Sequence, residues 1–122
     1  MKNTELIKRC SQRYQDASEK EEKGLRSNNK KLKWSLVDYK ALEPMVEVLE
    51  FGAKKYAPNN WKKGLPVTEI CESLLRHTYD FLNGEDKDEE SQISNVGHIL
   101  CNAMFLSYML QNKPELDDRY KN

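Results

Sequence analysis

The chain has 122 residues, 38% hydrophobic and 33% charged, which bounds it to one domain with a modest core and a long solvated segment. Twenty Lys and Arg balance twenty Asp and Glu, so no global field draws the chain to a nucleic-acid polymer or an anionic membrane, and a charged ligand must be held locally. Three cysteines without CxxC spacing, Cys10, Cys71 and Cys101, read as reduced thiols; with no apolar segment at the start and no apolar run near ~20 residues, the expectation is a soluble cytoplasmic protein.

In residues 3–24, Leu6, Ile7, Cys10, Tyr14 and Ala17 recur at steps of three and four, which predicts an amphipathic helix with a thin apolar stripe. With the polar linker around Ser27–Lys31 it forms an N-terminal segment, residues 1–30, and Lys33-Trp34 restarts the ordered part. From about Tyr39 to Tyr56, Leu42, Val46, Leu49, Ala53 and Tyr56 follow one helical face, with Glu43, Glu47, Glu50 and Lys54 along its edge. Pro44 fits only a first turn, and Gly52, costly inside a helix, suggests a close backbone approach there.

The next helix opens near Pro66, with Ile70, Leu74, His77 and Phe81 on one face, and ends at Asn83-Gly84. The acidic loop Glu85–Ser91 follows. The last helix, about Ser94–Gln111, is apolar nearly all round, which predicts a central or interface position; its one polar strip is Asn95, His98 and Asn102. Residues 31–113 form the helical domain and 114–122 a polar tail expected to fray.

Glu47 and Glu50 share a helix face. Like charges are unfavourable there unless a cation lies between them, and magnesium or manganese prefers such oxygen ligands; a solvated face is the other reading. His77 lies in an apolar face with Asp80 one turn on, either as a hydrogen-bonded packing residue or as part of a site in which Asp80 orients the ring or binds metal beside it. His98 repeats this situation between Asn95 and Asn102. The loop is either a solvated turn or a contributor of Glu85 and Asp88 to a metal. Lys54, Lys55, Tyr56, Asn60 and Trp61 can hold phosphates and stack a base, or the two aromatics are core anchors. The chain has neither a GxxxxGK[ST] nor a GxGxxG motif.

The run KWSLVDYKALEPMVEVLEFGAKKYAPNNWKKGLP, followed by LLRH, GEDKDEES and GHILCNAMFL, resembles the phage and bacterial dATP/dGTP diphosphohydrolases, relatives of the all-α MazG-like nucleotide pyrophosphohydrolases. The likeness covers about residues 33–110. It implies an all-α, four-helix-bundle-like domain that oligomerises and cleaves a nucleoside triphosphate between the α and β phosphates with a divalent metal. The usual ligand pattern of the MazG-like enzymes is ExxE on one helix and ExxD on a later one. Glu47 and Glu50 match the first pair, whereas His77-x-x-Asp80 has His for Glu and Asn95-x-x-His98 has neither carboxylate.

The leading expectation is therefore hydrolysis of a purine deoxynucleoside triphosphate to the monophosphate and pyrophosphate. Glu47, Glu50 and Asp80, with Glu85 and Asp88, would hold magnesium or manganese, and His77 or a metal-bound carboxylate would take the proton of the attacking water. Lys54, Lys55 and Arg76 would offset charge on the leaving group, and Trp34, Tyr56 or Trp61 would stack the base, with Lys33, Asn60, His98 and Asn102 completing the nucleotide contacts. Two alternatives stand beside it: sequestration of a nucleotide without turnover in the same pocket, and a structural protein whose polar groups satisfy one another. Because the last helix presents apolar residues in nearly every direction, a homodimer or dimer of dimers through Phe105, Tyr108 and Met109 is expected.

Overall fold

The computed structural model describes residues 24–121, so the expected N-terminal helix and Cys10 lie outside the described residues, apart from Gly24 at the helix's expected end. The chain divides into two compact units, Met1–Tyr39 and Lys40–Asn122. In the first, a 3-10 turn at Trp34–Leu36 is closed by the Val37 amide donating to the Trp34 carbonyl, and the Tyr39 hydroxyl donates to the same oxygen at 3.4 Å. Lys33 and Trp34 belong to this unit and Trp34 is exposed.

The second unit is all-α, as the periodicity predicts. Helix α1 spans Glu43–Lys55, α2 Val67–Leu82 and α3 Asn95–Asn112. Pro44 sits in the first turn of α1, where its missing N–H costs nothing. Helix α3 packs against both α1 and α2, and so takes the central place its nearly uniform apolarity calls for. Val67, Ile70 and Met109 are buried at the centre of the core, and Trp61, Leu65, Phe105, Leu106 and Tyr108 pack around them. The Trp61 ring stacks on Phe105 at 4.6 Å and meets Tyr108 edge-on at 4.8 Å, which ties the turn Asn60–Lys63 to α3.

Two of the helix starts find side-chain partners for their unpaired amides. Ser94 caps α3, its hydroxyl accepting from the amides of Val96 and Gly97. Pro66 cannot cap α2 in this way, and the cap comes from the other end of the chain: the Asp118 carboxylate accepts from the Thr68 amide at 2.9 Å and from the Thr68 hydroxyl at 2.6 Å. Of the segment expected to fray, Pro114 to Asp118 is docked, while Tyr120 is exposed. Pro114–Leu116 forms a 3-10 turn, Leu116 packs on the core, and Asp118 holds α2. The reason is that one carboxylate is the missing cap of a helix that opens on proline.

The close backbone approach falls at a different glycine from the expected one. A methyl group at Gly52 would meet nothing within 4 Å, whereas one at Gly97 would lie 2.6 Å from the Pro44 carbonyl oxygen, so Gly97 is what lets α1 and α3 meet. The apolar face left in water also differs. Met109 is fully buried and Phe105 and Tyr108 pack on Trp61, leaving Val96 and Leu110 of α3 at 40% and 46% exposure, while α2 presents Leu75, Tyr79 and Leu82 to solvent at 61%, 67% and 77%.

Candidate functional site

The loop after α2 doubles back onto the start of α3. The Glu85 amide donates to the Asp80 carbonyl, the Asn95 amide to the Asp86 carbonyl at 2.8 Å, and the Asp88 amide to the Ile93 carbonyl at 2.8 Å. Gln92 takes a left-handed φ of 59° to complete the turn. This fold-back turns the Asp88 carboxylate inward while its acidic neighbours Glu85, Asp86, Glu89 and Glu90 stay exposed.

Behind Asp88 the two histidines stack. His77 from α2 and His98 from α3 lie with ring centroids 4.3 Å apart and planes 7° from parallel. His77 Nδ1 is 3.8 Å from Asp88 Oδ1 and His98 Nε2 is 3.7 Å from Asp88 Oδ2. Asn95, fully buried, holds His77 Nδ1 through its Oδ1 at 2.8 Å, while its Nδ2 donates to the Glu85 carbonyl at 2.8 Å. Ser91 bridges the other half: its Oγ is 2.8 Å from His98 Nε2 and 2.9 Å from Asp88 Oδ2. Asn102 donates to the His98 carbonyl and to the Ser73 hydroxyl.

Proton positions follow from this network. Asn95 Nδ2 donates to a carbonyl, so Oδ1 is its acceptor end, and His77 must carry its hydrogen on Nδ1. Asp88 as a carboxylate only accepts, so the Ser91 hydroxyl donates to it and in turn accepts from His98 Nε2–H. The stacked rings are thus opposite tautomers. Among the described residues nothing hydrogen-bonds His77 Nε2, and no buried side-chain nitrogen or oxygen lacks a partner, so Nε2 is open to the cavity that His77 lines.

Electrostatics keep the Asp88 carboxyl charged and favour the neutral form of His98. Partial burial works to raise the Asp88 carboxyl, but the Ser91 amide and hydroxyl and the two imidazoles outweigh it and hold the group below the usual carboxylate value. Burial, and then the neighbouring His77, push His98 below the ordinary imidazole value against the pull of Asp88 and Glu90. Cys101, buried in the cavity wall, has its thiol pushed up to about 12 by burial and is no nucleophile at neutral pH.

The cavity in front of this network is about 850 Å³, within the roughly 300–1,000 Å³ range of small-molecule sites. Glu50, Lys55, Tyr56, Asn60, Trp61, Arg76, His77, Asp88, His98 and Asn102, among the residues expected to form the site, line it, together with an apolar wall that includes Leu49, Leu65, Met104 and Phe105. Glu47, Lys54, Asp80 and Glu85 are not in its lining, and Lys33 and Trp34 belong to the other unit. Asp80 was expected either to orient His77 or to bind metal beside it; Asn95 and Asp88 are the groups that meet His77 Nδ1. Asn95, Ser91 and Glu90 were not among the expected site residues. Lys55 Nζ pairs with Glu90 Oε1 at 2.6 Å, joining the end of α1 to the acidic loop, and that hydrogen bond raises the lysine above its ordinary value.

Magnesium or manganese was expected from the carboxylates. Among the described residues, no group of three or more His, Cys, Asp or Glu side chains is gathered to hold a metal ion by itself, while Glu50, Asp88 and Glu90 line the cavity, where magnesium can be held by one or two carboxylates together with substrate phosphates. Of the carboxylates expected as ligands, Glu50 and Asp88 reach the cavity, Asp88 turned toward the imidazoles, while Glu85 stays exposed and Glu47 lies outside the cavity lining on the exposed side of α1.

Residues 21–119 match the family model described as dATP/dGTP diphosphohydrolase, N-terminal. The chain belongs to that dATP/dGTP diphosphohydrolase family. A relative named dATP/dGTP diphosphohydrolase from Salmonella phage PMBT28 is 30% identical over 96 residues, covering 79% of this chain and 33% of the relative. The chain thus spans about a third of the length of the curated relative it matches. No solved structure matches it. The matched stretch of this family member contains all three helices, the acidic loop and both histidines. No helix among the described residues is long and apolar enough to cross a membrane.

Proposed function

We propose that the cavity binds a purine deoxynucleoside triphosphate, dATP or dGTP, and hydrolyses it to the monophosphate and pyrophosphate. The observation that carries this reading is the bare Nε2 of His77 opening on a nucleotide-sized cavity whose rim holds Arg76 and Lys55. The name of the phage relative supports the choice of substrate pair.

In this reading the triphosphate lies between Arg76 and Lys55, with Lys55 exchanging its bond to Glu90 for a phosphate oxygen. A water in front of His77 attacks the α phosphorus and gives its proton to Nε2, and the electron pair of the breaking P–O bond leaves with pyrophosphate, whose charge the two cations offset. Asp88, one carboxylate against two imidazoles, stabilises the imidazolium that forms. Tyr56, exposed at the cavity with Lys55 Nζ 5.4 Å from its ring centroid, is the ring that would stack a base as Lys55 turns to a phosphate, since Trp61 is committed to Phe105 and Tyr108. Glu50, Asp88 and Glu90 line the cavity and would be the carboxylates to hold a divalent metal beside the phosphates, and none of these steps is routed through one.

Sequestration without turnover is the second reading, and what favours it is that Glu47, Asp80 and Glu85 lie outside the cavity lining. Chromatography of dATP and dGTP after incubation with the protein, with magnesium, with manganese and with a chelator, separates the two. Monophosphate and pyrophosphate accumulating in multiple turnovers support hydrolysis. Intact nucleotide retained stoichiometrically on the protein would replace it with sequestration.

A further inference from the structure

We propose that Asn95 is the positioning residue of this site: it fixes the tautomer of His77 and so decides that the nitrogen facing the cavity is bare and able to take a proton. The inference rests on the hydrolytic reading above for its consequence, and on the hydrogen-bond network alone for its cause.

A neutral imidazole free in water interchanges its two tautomers, and only one of them would serve here. With the hydrogen on Nε2, the ring would present a donor to the cavity and could not accept from water. Asn95 removes that choice. Its side chain is fully buried at the first position of α3, and its orientation is set independently of the histidine, because Nδ2 is committed to the Glu85 carbonyl at 2.8 Å. Oδ1 is therefore the end that meets His77 Nδ1, also at 2.8 Å, and an amide oxygen can only accept. Flipping the amide would put its NH₂ group against an Nδ1 lone pair, but would also set two acceptors, Oδ1 and the Glu85 carbonyl, against each other.

The backbone reinforces the arrangement. The Asn95 amide donates to the Asp86 carbonyl at 2.8 Å, so the residue clamps the acidic loop from both its main chain and its side chain. Asp88 at 3.8 Å adds a charge on the same side of the ring, which also favours a hydrogen on Nδ1. Asparagine is suited to this where aspartate is not: a carboxylate could accept from Nδ1 but would repel the Glu85 carbonyl, and it would favour a charged ring that cannot act as a base.

Long-range proton–nitrogen NMR of the imidazole rings in the whole chain, at a pH where both rings are neutral, tests the assignment directly. His77 is expected to carry its hydrogen on Nδ1 and to show a bare Nε2; a hydrogen on Nε2 in the wild-type protein overturns the proposal whatever the activity. In Asn95→Leu, the His77 signals are expected to shift toward a mixture of tautomers, with kcat for dATP or dGTP down by about a hundredfold and KM changed far less. A folded Asn95→Leu protein with wild-type kcat overturns the positioning role. If the wild-type tautomer is as assigned and neither nucleotide is turned over, it is the hydrolytic reading that fails and Asn95 still positions the ring; should Asn95→Leu not fold, the wild-type spectrum decides alone.

Discussion

Two acidic stretches of this molecule carry the same kind of side chain and end in opposite surroundings. On α1, Glu47 and Glu50 are both exposed, and only Glu50 reaches the cavity. After α2, Asp88 turns inward, is bonded twice by Ser91 and lies 3.8 and 3.7 Å from the two imidazoles. The difference lies in the backbone. A helix fixes which residues share a face, and α1 leaves its glutamate face in water, whereas the loop folds back on α3 and carries one carboxylate with it. A shared helix face therefore says less about function here than a loop carboxylate with a buried partner.

The sharpest way to break that comparison is Asp88→Ala. It removes the acceptor from the Ser91 hydroxyl and the charge facing both imidazoles, and the partly buried groups left unpaired should cost about 1–3 kcal/mol of stability. Denaturant unfolding checks this. A loss no larger than that of an exposed glutamate would show that the inward turn of Asp88 has no energetic consequence.

Acid should act on the loop side of the comparison next. His98 is held below its ordinary value of 6.5, so above that pH it is neutral folded and unfolded and its contribution is complete. As pH falls through 6.5 toward the lower folded value, the unfolded chain takes up the proton first and stability is lost. Asp88, also held low, loses its contribution in the same direction, below its ordinary carboxylate value. Thermal midpoints should therefore drop between pH 7.5 and 5.5, and the slope should flatten in His98→Gln; an unchanged slope in that variant would assign the effect elsewhere.

At the weak end, Glu47→Gln should move stability by no more than about 0.5 kcal/mol, because the side chain is exposed and lies outside the cavity lining. A loss of several times that amount would place Glu47 in a charged network that α1 does not display.

Helix positions were legible in the chain because they rest on periodicity and punctuation: Pro44 and Pro66 mark starts, Asn83-Gly84 marks an end, and the apolar α3 sits between its neighbours as such a helix must. Both histidines were legible too, as polar residues in apolar faces. What spacing could not show was distance along the third dimension. That Asn95 rather than Asp80 meets His77 depends on where the loop returns the chain, and a residue eighteen positions away has no helical register with it. Similarly, Asp118 caps the helix that begins at Val67 by accepting from Thr68, fifty residues earlier, a pairing invisible to local patterning. Gly97 was passed over for Gly52 because a glycine in a helix signals a close approach without naming its partner; here the partner is the Pro44 backbone. Only the polar strip of Asn95, His98 and Asn102 on an otherwise apolar helix pointed to Asn95, and its role needed the structure.

In the proposed reaction the chemistry rests on the imidazole pair and not on Glu47. Pyrophosphate release from dATP and dGTP, measured side by side for the wild type, His77→Gln and Glu47→Gln, tests it most directly. The account predicts a fall of roughly 10²–10⁴-fold in kcat for His77→Gln and wild-type turnover for Glu47→Gln. Full activity in His77→Gln together with its loss in Glu47→Gln would contradict it.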